Sequence, residues 1–168
     1  MSTRKKQKPK TRDRLDDTLN GPHITAAAIC QDVIEAKDGT LSAIRLIDVI
    51  TLNLGKPTDP NTPFSVSVPV TLLIALKSGQ AKGKKLLSIA LVDPKGVVFP
   101  SNQTFPLVLE GDEHGANVVI RTEVITNKDG LFWFDIRLDG QLLSRQPLRV
   151  KFEWLQPDKS SSENSTTS

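Results

Sequence analysis

The sequence predicts an all-β fold, an antiparallel β-sandwich of about eight to nine strands, on three observations. Segments rich in Val, Ile, Leu and Phe are cut at short intervals by turn residues: KDGT at 37–40, GKPTDPNTP at 55–63, SGQAKGK at 78–84, DPKG at 93–96, EGDEHGAN at 110–117, NKDG at 127–130 and LDGQ at 138–141. Gly, Pro, Asn and Asp at this spacing mark hairpins and loops between strands. Two segments also alternate cleanly in polarity, and no long amphipathic helix survives the punctuation.

Taken in order, Ile24–Lys37 contains three alanines that favour helix, and Cys30–Ile34 fits either period. The turn KDGT followed by LSAIRLIDVITL has the form of a hairpin, so a strand is expected here. In VSVPVTLLIAL, Val66, Val68, Val70, Leu72, Ile74 and Leu76 share one face, opposite Ser67, Pro69 and Thr71. Pro69 cannot donate to a ladder, so the strand near it is expected at an edge or with a bulge. Leu86–Val92, Gly96–Phe99 and Thr104–Leu109 supply further short strands. In NVVIRTEVI, Val118, Ile120, Thr122 and Val124 oppose Asn117, Val119, Arg121 and Glu123, the pattern of a strand with one wet face. Two stacked sheets bury that many strands, with a closed barrel as the alternative.

The stretch GLFWFDIRLDGQLLSRQPLRV reads as a hairpin about Asp139–Gly140, the favoured pair for a type I′ turn. Phe132, Phe134, Ile136 and Leu138 then face inward, and Leu131, Trp133, Asp135 and Arg137 outward. Without an extra residue, Phe134 would lie opposite Arg145 while Leu148, Val150, Phe152 and Trp154 pointed away from the core. A β-bulge near Arg145–Pro147 corrects the parity, sets Phe132 against Leu148 and brings those four residues into the core.

One domain is expected over 23–156, between a disordered basic tail at 1–22 and a disordered Ser/Thr-rich tail at 157–168. The net charge of +3 conceals a division: residues 1–14 carry seven Lys or Arg against Asp13 alone, whereas the rest holds 15 basic and 18 acidic groups. The domain itself is mildly acidic, which argues against nucleic-acid binding by its own surface. Cys30 is the single cysteine, so no intramolecular disulfide or Cys-based zinc site can form. The N-terminus begins like the charged region of a signal peptide, but no apolar stretch follows and none approaches a membrane span; a cytoplasmic protein is expected.

The run ICQDV, the turn DGTLS, a strand leading into DPKG, and a closing hairpin G-x-x-x-F-D-I-x-L-D-G followed by PLRV resemble a family of small, uncharacterised bacterial proteins with an immunoglobulin-like or C2-like β-sandwich. The resemblance covers roughly Ile24 to Phe152. It implies a fold and, since the family has no assigned catalytic residue, no chemistry.

The residues offer few parts for catalysis. His23 and His114 lack a surrounding motif, Cys30 sits among Ala and Ile as a small buried hydrophobe would, and no phosphate-cradling, nucleophile-elbow, dinucleotide or metalloprotease motif occurs. No enzyme activity, cofactor or metal site is therefore expected. Glu110, Asp112, Glu113 and His114, with Asp93 elsewhere, could bring oxygen ligands to Ca²⁺ as loops of C2-like sandwiches do, but the D-x-D spacing is missing. The expected function is a non-enzymatic interaction or scaffold module, binding an unidentified protein partner through Leu131, Trp133 and Arg137 or pairing strand edges into a homodimer. The alternative is a nucleic-acid-associated accessory protein whose Arg4, Lys5, Lys6, Lys8, Lys10, Arg12 and Arg14 hold phosphates weakly and without sequence preference. A C2-like ion- or ligand-binding domain is the third reading.

Overall fold

A computed structural model describes residues 20–55 and 63–155. Its regular structure is seven strands: β1 (His23–Glu35), β2 (Leu41–Leu46), β3 (Val49–Gly55), β4 (Val66–Val92), β5 (Val98–Thr126), β6 (Gly130–Leu138) and β7 (Gln141–Leu155). They form one sheet in the order β2-β1-β4-β6-β7-β3, with β5 along the other side of β4. The all-β expectation holds. Among the described residues no helix is long and apolar enough to cross a membrane. The tails expected to be disordered lie, apart from residues 20–22, outside the described residues.

The strand pattern departs from expectation in three places. First, β4 and β5 are long strands paired from Val66↔Thr126 to Val92↔Val98, so SGQAKGK and EGDEHGAN are not chain reversals. They pair with each other, Gly79 with Asp112 and Lys82 with Glu110, across register shifts on both sides of Gly79. Gly79, Gly83, Gly111 and Asp112 all have positive φ, the conformations that bend and bulge a ribbon. Second, the stretch expected as one return strand splits. After Arg45, itself at positive φ, the Ile47 N–H donates to Ile29 O, the Arg149 N–H donates to Asp48 O, and the chain leaves β1 for β7. Third, β3 then runs parallel to β7, Val49↔Arg149 through Gly55↔Leu155, so the sheet is mixed rather than wholly antiparallel.

The bend sets the core. Before it the inward residues of β4 are Val68, Val70, Leu72, Ile74 and Leu76; after it they are Leu87 and Ile89, and all join one cluster with Val118, Ile120 and Val124 of β5, Phe132, Phe134, Ile136 and Leu138 of β6, and Leu148 and Val150 of β7. β1 flanks the first half of β4 from Thr71 to Lys77, and β6 flanks the second from Leu87 to Val92. Pro69 pairs with Glu123 of β5 where β1 has not yet joined the other side, as its missing donor requires.

The closing hairpin has the expected turn, with Asp139 and Gly140 both at positive φ, and the expected pair Phe132↔Leu148. The extra residue sits nearer the turn than expected: Ile136 pairs with Ser144 and Arg137 with Leu142, leaving Leu143 unopposed. Leu143 packs against the core, which places the bulge there instead of at Arg145–Pro147. Leu148 and Val150 are buried and Phe152 is half-buried, whereas Trp154 is 39% exposed, against its expected core position. It lies at the end of β7 beside β3, where its ring meets Phe64 and Phe152 edge-on at 5.5 and 6.3 Å.

Gly115 lies where the bent ribbon crowds its own backbone, and a Cβ there would collide with the Leu76 carbonyl. Gly115→Ala should lower the unfolding free energy in urea by about 1–3 kcal/mol. Gly55→Ala, whose Cβ would meet nothing within 4 Å, should change it by less than about 0.5 kcal/mol.

Candidate functional site

Two surfaces qualify, the outer face of β6–β7 and the open side of β5. On β6, alternation sends Leu131, Trp133, Asp135 and Arg137 away from the core. The Leu143 bulge then aligns Arg145 directly with Asp135. Arg145 Nε donates to Asp135 Oδ1 at 2.7 Å and its Nη2 donates to Oδ2 at 3.1 Å, while Arg137 Nη2 donates to Oδ2 at 3.1 Å. These stems cover the carboxylate, which is 1% exposed, although its position in the strand predicts an outward group. Arg145, then Arg137, hold the Asp135 carboxyl below the usual carboxylate range against the opposing effect of burial, and the pair raises Arg145 in turn. The Arg145 guanidinium also stands 5.9 Å from the Trp133 ring centroid, within reach of a cation–π contact. Leu131, Trp133 and Arg137 are therefore together on one face, but half-buried, and the two arginines are committed to an internal ion pair.

The remaining sequence candidates are scattered. Cys30 is fully buried, its thiol donates to Thr71 O at 3.5 Å, and burial pushes its pKa up, the opposite of an activated nucleophile. His23 Nδ1 lies 3.5 Å from Gly21 O and His114 Nδ1 3.3 Å from Gly111 O. Glu110, Asp112, Glu113 and His114 stand exposed along β5. Asp93 lies at the far hairpin tip, where it accepts from the Lys95 and Val97 amides and from Lys128 Nζ. Among the described residues no three His, Cys, Asp or Glu side chains converge as metal ligands. Arg4, Lys5, Lys6, Lys8, Lys10, Arg12 and Arg14 lie outside the described residues.

The open side of β5 escaped the sequence reading. Among the described residues β5 pairs with β4 alone, so its other edge carries no strand. Between the two halves of the bent ribbon, that side opens into a mainly apolar cleft of about 190 Å³ lined by Ile89, Leu91, Phe99, Phe105, Ile120 and Phe134 together with Gln103, Thr122 and Glu123. A second hollow of about 290 Å³, sharing Leu91, Phe99 and Glu123, continues past Ile125 and Phe132. Phe99 is 52% and Ile125 64% exposed. The available signal was proline: Pro100 and Pro106 belong on an edge.

No family model matches the chain, and no curated protein does. Among solved structures, the alkylpurine DNA glycosylase AlkC of Pseudomonas fluorescens, bound to DNA containing an abasic site analog, is similar at 12% identity, a TM-score of 0.48, and coverage of 79% of this chain and 31% of that one. A β-glucosidase from Listeria innocua in complex with glucose is similar at 9% identity, a TM-score of 0.44, and coverage of 77% and 16%. This chain spans less than a third of either, and neither likeness carries a function to it.

Because Asp135 titrates lower when folded, the unfolded chain binds more protons between its own carboxyl pKa, about 3.9, and the folded value. The pair's stabilisation is therefore complete above about pH 4 and is lost as pH falls through the folded value. Asp135→Asn should lower the unfolding free energy at pH 7 by about 1–3 kcal/mol, with the gap from wild type closing below pH 4 in acid-denaturation curves. A gap that persists unchanged at pH 2 would remove the ion pair as its cause.

Proposed function

We propose that this chain is a non-enzymatic protein-interaction module, a cytoplasmic two-layer β-sandwich of the immunoglobulin-like or C2-like kind, and that it belongs with the small uncharacterised bacterial proteins its hairpin signatures resemble. The observation that supports this most is the edge of β5 that, among the described residues, pairs with no strand and lies beside a mainly apolar cleft. An open edge offers a row of backbone donors and acceptors to an incoming strand, and the adjoining cleft offers side-chain pockets, the two components of recognition by strand addition. The β6–β7 face offers less, since Arg145 already covers Trp133 and two arginines already answer Asp135.

A second reading rests on the seven basic residues between Arg4 and Arg14: weak, salt-dependent binding of nucleic acid. It requires that retardation of duplex DNA be lost on deletion of residues 1–14.

A photo-crosslinking residue placed at Ile125 of the full chain, in the cells that make it, should give discrete protein adducts, whereas the same residue at Lys151 should not. Trp133→Ala should leave the adducts in place. Their absence at 125, or their loss only with Trp133→Ala, would overturn the assignment to β5.

A further inference from the structure

The geometry points to a second copy of this chain as the occupant of the β5 edge, paired antiparallel about a two-fold axis through Thr122; this rests on the reading of β5 as the interaction edge. The two halves of β5 are not equivalent. Val98–Glu110 contains Pro100 and Pro106, which interrupt any added ladder, and the bend contains Gly111 and Gly115. The stretch Asn117–Thr126 has no Pro, Gly or Lys, the residues with which natural edges are blunted.

That stretch is also complementary to its own reverse. Centred on Thr122, an antiparallel pair of copies sets Arg121 opposite Glu123, Val119 opposite Ile125, Ile120 opposite Val124 and Asn117 opposite Asn127, each twice by symmetry. Opposite charges and apolar pairs fall directly across from one another, where side chains interact most strongly. The adjacent two-fold registers fail: an axis through residue 121 stacks Arg121 on Arg121, and one through 123 stacks Glu123 on Glu123. Slips by a single residue place the wrong faces together.

The surface is prepared for these partners. Ile125 is 64% exposed and gains the Val119 of the other copy. Arg121 donates to Asp32 at 2.9 Å with side chains 66% and 54% exposed, and Glu123 accepts from Ser67 Oγ. Exposed pairs of this kind contribute little, so both side chains can turn to the second copy at small cost. A foreign apolar strand would instead desolvate the same two charges and bring no partner of its own to either. Because paired residues point to the same side of a sheet, the apolar clefts at Ile120 and Phe134 in the two copies would open toward each other and leave water together.

Sedimentation of the full chain should show a concentration-dependent monomer–dimer equilibrium. Arg121→Glu and Glu123→Arg should each weaken it by about tenfold or more, since each creates two like-charge contacts. The double exchange should restore it, although it loses the same intramolecular contacts as the single variants. Thr122→Cys should form a dimer-linking disulfide on mild oxidation, because residue 122 meets its own copy at cross-strand distance, and Arg121→Cys should not. A monomer at every concentration, or a dimer indifferent to both charge exchanges, overturns the inference. If the chain is monomeric yet position 125 still crosslinks to another protein, the second copy is wrong and the interaction edge stands; a monomer with no adduct removes both.

Discussion

Side chains alternate across a strand, so a strand that turns a corner and keeps its apolar residues inside must change parity at the corner. β4 and β5 both do so at the same place. The inward set of β4 passes from Leu76 to Leu87, and that of β5 from Leu109 to Val118, an odd number of residues in each case. Straight, a 27-residue strand would run roughly 90 Å with its apolar stripe open to water. Bent, the ribbon covers itself: β1 extends one half, β6 and β7 extend the other, and the step from β2 to β3 ties the two extensions together through Ile47 and Asp48.

The acidic side chains serve this architecture. Asp38 accepts from the Thr40 amide in the β1–β2 turn, Asp93 from the Lys95 and Val97 amides at the β4–β5 tip, and Asp139 from the Leu86 amide and Lys85 across the β6–β7 turn. In each the hydrogen bonds lower the carboxyl pKa. Asp135 does in mid-strand what these do in turns. A carboxylate held ionised by donors in its own fold carries no proton to donate and is a weakened base, and these aspartates fasten turns and strands of the fold.

How much of this the sequence disclosed follows from what alternation can encode. Period two identified most of the strand-forming segments and the inward residues of the first half of β4, of β6 and of the second half of β5, because burial leaves a direct pattern. It also required one extra residue in the last hairpin, since Phe132 and Leu148 must share a face, but parity places a bulge only somewhere between two points, and Leu143 lay nearer the turn. Glycine-rich polar segments are where the reading failed: 78–84 and 110–117 have the composition of loops because a bend needs the same positive φ angles as a chain reversal, and only their pairing with each other separates the cases. The burial of Asp135 was illegible for a similar reason, since the arginine that covers it comes from another strand in a register set by the displaced bulge. The parallel pairing of β3 with β7 leaves no local mark at all.

The edges complete the account. β2 is short and carries Arg45 at positive φ, β3 ends at Gly55, and the first half of β5 holds two prolines, so each of these edges is a poor template for an added strand. Asn117–Thr126 lacks such devices and is guarded by its charges. Arg121 and Glu123 lie two residues apart on one face with Thr122 between them, and whether such a pair repels or attracts an incoming strand depends on what that strand presents: a hydrophobic one would have to desolvate both charges, whereas the same segment reversed answers each with its opposite. In the proposed pairing, the guard that protects this edge from unrelated strands is therefore also the feature that would select its own copy.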